Sequence, residues 1–298
     1  MPLDSGVRPR RSVLYMPGSN ARALEKAKSL AADGLIFDLE DAVAPAAKDE
    51  ARDRVARAVR EGGYGGREII VRVNALNTEW AVNDLAATAA SGPDAILLPK
   101  VNGAAPVNQA LTILDEADGP SQPALWCMME TPLAMLHAEE IAAASPRIAC
   151  LVMGTSDLAK DLHARHTPDR GAFLTSMGLC LLAARAHGLA ILDGVHLDLD
   201  DADGFREQCR HGADLGFDGK TLIHPKTITD ANEIFAPSAA DVSEAHRTIA
   251  AYENAVREGR GVAVLDGRLV ETLHVENARR VVATAGAIEG LDSAAATP

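Results

Sequence analysis

Aromatic side chains are scarce in this sequence, with two Trp, three Tyr and five Phe among 298 residues. Surfaces that stack unpaired bases need several such rings, so single-stranded nucleic acid is a poor candidate partner. Basic charge is in deficit as well. The chain carries 29 Lys and Arg against 42 Asp and Glu, a formal net charge of −13. That balance argues against any extended nucleic-acid surface, yet leaves room for a phosphorylated ligand held by a few local cations. The four cysteines, Cys127, Cys150, Cys180 and Cys209, form no Cys-x-x-Cys and no Cys/His metal spacing, and they read as reduced core thiols. No apolar run approaches the roughly 20 residues of a membrane span. The first eleven residues lack an apolar signal-peptide core. A soluble cytoplasmic protein with a flexible arm over residues 1–10 is expected, with no membrane partner. Gly-x-Gly-x-x-Gly and Walker-type phosphate loops are missing too, which removes support for a dinucleotide crevice or a P-loop.

What the chain does have is a series of short apolar runs, each stopped by polar or turn-forming residues. Val13–Met16 ends in Pro17-Gly-Ser-Asn20, Leu35–Leu39 in Glu40-Asp41, Glu68–Val71 in Arg72-Val-Asn74, and Ala95–Leu98 in Pro99-Lys100. Ala124–Met129 ends in Glu130-Thr-Pro132, Ile148–Met153 in Gly154-Thr-Ser-Asp157, Ala190–Leu192 in Asp193-Gly194, and Lys220–Ile223 in His224-Pro225. Runs without polar alternation predict strands buried on both faces, as in a parallel sheet. Helix-like segments separate them, opened by capping residues such as Ser19 or Asn20 and by prolines such as Pro45 and Pro132. Helices are expected over Ala21–Ala32 and Leu133–Ala144, and an irregular segment after Asp157 as far as Arg170. Eight strand–helix units in about 230 residues predict a (β/α)8 TIM barrel over 11–235. An open doubly wound sheet is the runner-up, but eight strands would make it unusually wide. Residues 236–290 then form a helix–hairpin–helix extension or lid, with Asp266-Gly267 as the turn, and residues 291–298 a frayed tail.

In a parallel barrel the strand ends converge on one mouth, which is where ligands bind. Glu130 and Asp157, at successive strand ends, suit a hard divalent cation. Either alone is equally well read as compensating a helix N-terminus, but the pair together with Arg72 favours a site. Arg72 offers a planar fork for a substrate carboxylate. Lys100 is a candidate Schiff-base lysine, and His224, before Pro225, reads as structural.

Taken in order, Leu14-Tyr-Met-Pro-Gly-Ser-Asn20, Asp38-Leu-Glu-Asp-Ala-Val43, Arg72-Val-Asn74, Pro99-Lys100, Glu130-Thr-Pro132 and Gly154-Thr-Ser-Asp157 resemble the citrate lyase β-subunit-like branch of the HpcH/HpaI aldolase superfamily. That branch includes the malyl-CoA, β-methylmalyl-CoA and citramalyl-CoA lyases, and the resemblance runs from about Arg11 to Ala278. It implies a (β/α)8 barrel, Mg²⁺ (with Mn²⁺ as the alternative), a CoA thioester with a small 2-oxoacid as partners, and a homo-oligomer, trimer or hexamer. By position it implies Glu130 and Asp157 as metal carboxylates, Arg72 as the substrate arginine, and Glu40 and Asp41 near the metal's waters. It further places Arg22 and Lys26 near the CoA phosphates. In the family's stand-alone lyases a C-terminal hairpin ends in an acid/base aspartate; here Glu271 stands in its place.

The activity implied is reversible carbon–carbon cleavage of a 3-hydroxyacyl-CoA into an acyl-CoA and a 2-oxoacid. Arg72 clamps the carboxylate, helped by backbone N–H groups at Gly154 and Thr155, and Glu271 moves the proton at the enolate carbon. Two alternatives use the same site: hydrolysis of a malyl-CoA-type thioester, and service as the β subunit of a citrate lyase complex.

Overall fold

The computed structural model describes residues 7–117, 119–120 and 122–295. Residues 1–6 of the expected N-terminal arm and 296–298 of the expected tail lie outside them. Eight parallel strands close into a barrel in sequence order: β1 (Ser12–Pro17), β2 (Gly34–Asp38), β3 (Glu68–Arg72), β4 (Ala95–Leu98), β5 (Ala124–Met129), β6 (Ile148–Met153), β7 (Ala190–Asp193) and β8 (Gly219–Leu222). Closure is made by β1 against β8, with Ser12, Val13 and Leu14 opposite Lys220, Thr221 and Leu222. The fold is the (β/α)8 barrel that the alternating runs predict.

The helices between the strands are α1 (Ala21–Ala27), α2 (Lys48–Glu61), α3 (Ala81–Ala89), α4 (Ala104–Glu116), α5 (Pro132–Leu136), α6 (Ala138–Ala143), α7 (Thr155–Asp161), α8 (Leu174–Ala186) and α9 (Ala202–Leu215), with α10 (Ile228–Ile234) after β8. Three differ from expectation for visible reasons. Helix α1 stops five residues early, where the Ser29 hydroxyl donates to the carbonyl of Lys26 at 2.9 Å, and Gly34 opens β2. The single helix expected over 133–144 breaks at His137, whose Nδ1 is held 2.8 Å from the Asn102 carbonyl. The segment after Asp157, expected to be irregular as far as Arg170, begins as helix: α7 runs from Thr155 through Asp161, so β6 passes into helix almost at once.

Inside the barrel, Val13, Ile36, Ile70, Leu97, Trp126, Met128, Cys150 and Val152 pack together. The end opposite the strand carboxyl termini is closed by charge. Arg10 lies over the Trp126 ring at 5.1 Å and pairs with both oxygens of Glu68 at 2.7 and 2.8 Å. A Cβ at Gly219 would fall 1.8 Å from the Arg10 carbonyl, so β8 can begin only with glycine. The barrel also buries ions that its apolar-looking runs conceal. Lys220, wholly inaccessible, donates to Asp193 Oδ2 at 2.8 Å, while Arg170, in the left-handed region at φ 55°, binds the other oxygen. All four cysteines are buried and none is paired.

The described residues form two compact units, one within residues 10–232 and the other made of residues 233–295 with residues 7–9. In the second, α11 (Ala239–Arg257) starts at a Ser238/Asp241 capping box. Strands β9 (Ala263–Leu265) and β10 (Arg268–Val270) form the hairpin, with Asp266 and Gly267 both at positive φ, as a tight two-residue turn requires. Helix α12 (Thr272–Ala295) comes next, so the stretch expected to fray from 291 is helical through 295. Ala255, Ala263, Val270 and Val275 form this unit's core. Among the described residues, no helix is long and apolar enough to cross a membrane.

Candidate active site

The end of β2 organises the mouth of the barrel. Asp38 accepts the backbone N–H groups of Glu40 at 2.9 Å and Ala42 at 3.0 Å, which folds the loop back over its carboxylate. The same carboxylate takes Arg72 in a two-pronged pair, Nε to Oδ1 at 2.7 Å and Nη2 to Oδ2 at 2.6 Å. Bidentate pairing fixes a guanidinium plane as well as its charge. The Tyr15 ring supports it from one face, 4.9 Å from Cζ. Only Nη1 is turned elsewhere, 2.9 Å from Glu40 Oε2 and 3.4 Å from Asp41.

Glu40 is buried and Asp41 exposed. The Glu40 Oε2 lies close to Arg72 but accepts no hydrogen bond from it. Burial pushes Glu40 up to about 8; Arg72 works against the rise, and Asp41 and Glu130 add to it. Near neutral pH Glu40 therefore holds its proton most of the time. The loop is locked from behind by buried Lys48, which donates to the Leu39 and Glu40 carbonyls at 2.8 Å and to Asn74 Oδ1 at 2.6 Å. Asn74 is tied in turn to Asp84 at 2.6 Å.

The second half of the mouth joins β4, β5 and β6. Glu130, 1% exposed, accepts the Lys100 backbone N–H at 2.6 Å. The Lys100 ammonium hydrogen-bonds to Asp157 Oδ2 and lies 3.6 Å from Glu130 Oε1. Burial raises Glu130 despite Lys100. For Asp157, burial acts in the same direction, but the bond to Lys100 outweighs it and the carboxyl ends below its usual range. Lys100 is pulled down by burial and more than restored by Asp157, Glu130 and Glu40, so it stays charged. A Schiff-base lysine must be neutral to attack a carbonyl. Lys100 is the wrong kind of lysine for that chemistry.

Five carboxyl groups (Asp38, Glu40, Asp41, Glu130 and Asp157) thus share the mouth with Arg72 and Lys100. Among the described residues, no group of three or more His, Cys, Asp or Glu side chains is arranged to hold a metal ion. Mg²⁺ does not require one, since it commonly takes one or two carboxylates and fills its shell with water and substrate oxygens. Glu130 and Asp157 offer that all-oxygen pair, and the ammonium lying against both shows that a cation is accommodated between them.

Gly154 has a different part from the one expected. Its N–H donates to the Met129 carbonyl at 2.9 Å and is not available to a substrate carboxylate. Its missing side chain is what counts, because a Cβ there would come 2.4 Å from Glu130 Cβ and 2.8 Å from Glu130 Oε2. Thr155 is buried at the start of α7. Arg22 and Lys26 are exposed on α1. Glu271 belongs to the C-terminal unit, exposed after β10, with its N–H donating to His274 Nδ1 at 3.0 Å. Asp38, which fixes Arg72, is not among the candidate site residues that the sequence singles out; it lies inside the run 35–39, and its role comes from the register that sets it directly across from Arg72.

Comparison with known proteins identifies the family. The model of the HpcH/HpaI aldolase/citrate lyase family matches residues 11–225. A (3S)-malyl-CoA thioesterase of Cereibacter sphaeroides (strain ATCC 17025 / ATH 2.4.3) is 55% identical over 280 residues, 94% of this chain and 96% of its own. The citrate lyase subunit beta of Escherichia coli (strain K12) is 38% identical over 283 residues, 93% of this chain and 94% of its own. Among solved structures, the protein CitE from Mycobacterium tuberculosis in complex with magnesium, acetoacetate and coenzyme A superposes with a TM-score of 0.74 at 30% identity, covering 92% of this chain and 97% of that one. The barrel, its strand-end cluster and these relatives agree: the chain is an enzyme belonging to the HpcH/HpaI aldolase/citrate lyase family.

Proposed function

We propose that this enzyme acts on a malyl-CoA-type 3-hydroxyacyl-CoA with a divalent cation, Mg²⁺ or Mn²⁺, held by Glu130 and Asp157, and that its net reaction is hydrolysis of the thioester. The observation that carries the site is the convergence of Glu130 and Asp157 beside the braced Arg72. Hydrolysis is favoured by the 55% identity to a malyl-CoA thioesterase along nearly the whole chain. Glu271, standing where the family resemblance calls for a lyase aspartate, points the same way.

The cation, when bound, supplies Lewis-acid stabilisation of charge developing on substrate oxygen. Everything else is assigned to the chain. Arg72 receives the substrate carboxylate through Nη1, the one edge that Asp38 does not occupy. Glu40 shares that edge, and because it is mostly protonated near neutral pH it leaves the guanidinium charge for the substrate. In its ionised form Glu40 is the base for the attacking water. A C–O bond forms at the thioester carbon and the C–S bond breaks. The water's proton passes to Glu40 and from there to the departing thiolate, giving malate and free CoA. Arg22 and Lys26 meet the CoA phosphates. A homo-oligomer, trimer or hexamer, belongs to the same proposal.

Carbon–carbon cleavage is the second reading, favoured by the family and by the 38% identity to a citrate lyase β subunit. There the C2–C3 bond breaks to release a 2-oxoacid, and Glu271 protonates the acyl-CoA enolate carbon. The same match is what favours membership of a citrate lyase complex, and turnover of a free CoA thioester by the isolated chain would remove it. Product analysis by mass spectrometry separates the two reactions. Malyl-CoA with Mg²⁺ yields malate and CoA if the enzyme hydrolyses; glyoxylate and acetyl-CoA would establish the lyase reading instead.

A further inference from the structure

Lys100 is the one cation in direct contact with Asp157 and within 4 Å of Glu130 among the described residues, and its backbone is unusual. Its φ of 53° lies in the left-handed region, which an unbranched non-glycine residue enters at a cost of order 1 kcal/mol. The strained conformation aims the Lys100 N–H at Glu130 Oε1, 2.6 Å away, and sends the side chain to Asp157 Oδ2. One residue therefore touches both carboxylates, by its main chain and by its side chain. The Lys100 side chain is about one-third exposed, on the wall of a cavity of about 310 Å³ whose other polar walls are Asn77, Asn102 and Gln109.

We propose that Lys100 is an internal counter-ion that exchanges with the divalent cation: the ammonium occupies Glu130 and Asp157 until a metal displaces it, and it then turns into the Asn77–Gln109 cavity. This rests on the reading of Glu130 and Asp157 as the metal carboxylates. An ammonium hydrogen-bonded to a carboxylate oxygen and a divalent cation about 2.0–2.1 Å from that oxygen cannot occupy the same side of it. The repulsion between the two charges, steep at this range, adds to the exclusion. The backbone bond to Glu130 need not break, because it uses the amide and not the ammonium. Amide oxygens on the cavity wall then accept from the displaced ammonium, which faces the space next to the metal as a binding group for an anionic or carbonyl oxygen. The exchange keeps two buried or half-buried carboxylates compensated in both states, where bare they would repel.

The test uses the full-length protein without substrate. Mn²⁺ binding is measured by electron paramagnetic resonance for wild type, Lys100→Met, Lys100→Arg and Glu130→Gln. Removal of the competing ammonium should tighten Mn²⁺ binding in Lys100→Met by about tenfold or more, while Lys100→Arg stays near wild type. In parallel, the wild-type protein is treated with an amine-acylating reagent, with and without Mg²⁺, and modification at Lys100 is quantified by peptide mass spectrometry. Release from the carboxylates should speed Lys100 labelling several-fold, a change that a lysine merely lying near the metal would not show. Equal Mn²⁺ affinity in wild type and Lys100→Met, or labelling that Mg²⁺ leaves unchanged, overturns the exchange. Failure of the metal reading looks different: Mn²⁺ then binds neither wild type nor Lys100→Met, or binds Glu130→Gln as well as wild type.

Discussion

At the scale of single residues, Arg72 is held by geometry as much as by charge. Asp38 takes two of its nitrogens and Tyr15 supports its face. Arg72→Lys keeps the charge but loses the fork, and kcat/KM for the CoA thioester should fall by about 100-fold or more; retention within a few-fold would remove Arg72 from carboxylate binding. Glu40 sets a pH dependence. Burial pushes its carboxyl up to about 8, and with the ionised form as the proposed base, hydrolytic kcat/KM should rise with pH and level off above that value. Glu40→Gln should abolish the rise; a profile unchanged by the substitution would exclude Glu40 as the base. Asp193 bears on stability alone. Burial would raise its pKa, but Lys220 and Arg170 reverse the effect and hold the carboxyl below its usual range. A depressed acid contributes fully above its unfolded pKa of about 3.9 and loses that contribution as pH falls through the folded value. Asp193→Asn leaves two buried cations without their counter-charge and should cost about 3–5 kcal/mol in denaturant unfolding.

At the scale of elements, the site is assembled from the carboxyl ends of β2 to β6 and the first residues beyond them, and the β5–β6 pair depends on Gly154. Gly154→Ala would drive a methyl group into Glu130, so metal-dependent turnover should drop by at least about tenfold while the far-ultraviolet spectrum stays native. This scale was the most legible in sequence. Eight apolar runs, each ended by a turn or an ionisable group, define the barrel because a strand buried on both faces leaves no other pattern. Glu130, Asp157 and Arg72 were visible as run-ending residues for the same reason. Partnerships were not. Nothing in Asp38-Leu-Glu-Asp41 says which acid grips Arg72, since that is decided by register across β2 and β3. Lys220 reads as part of an apolar run because its partner, Asp193, lies 27 positions away and is shared with the distant Arg170. The break at His137 comes from a long-range bond to Asn102 and has no local signal.

At the scale of the whole molecule, a net charge of −13 does not favour an anionic CoA ester, so the proposed substrate has to be met by local cations. Glu replacements of Arg22 and Lys26 should raise KM for the CoA ester several-fold with little change in kcat, the signature of contacts made equally in ground and transition states. An unchanged KM would place the phosphates elsewhere. Sedimentation at micromolar concentration should report an oligomer, and a monomer would contradict the trimer or hexamer. The central claim is that malyl-CoA-type chemistry runs at Glu130 and Asp157 through a divalent cation, and it has one direct measurement. Chelator-treated protein is mixed with malyl-CoA, and consumption of the ester is monitored before and after Mg²⁺ is restored, for the wild type and for Asp157→Asn. The account predicts no turnover without metal, recovery on adding Mg²⁺ to the wild type, and none in Asp157→Asn; consumption that proceeds with the chelator present, or that Asp157→Asn leaves intact, would contradict it.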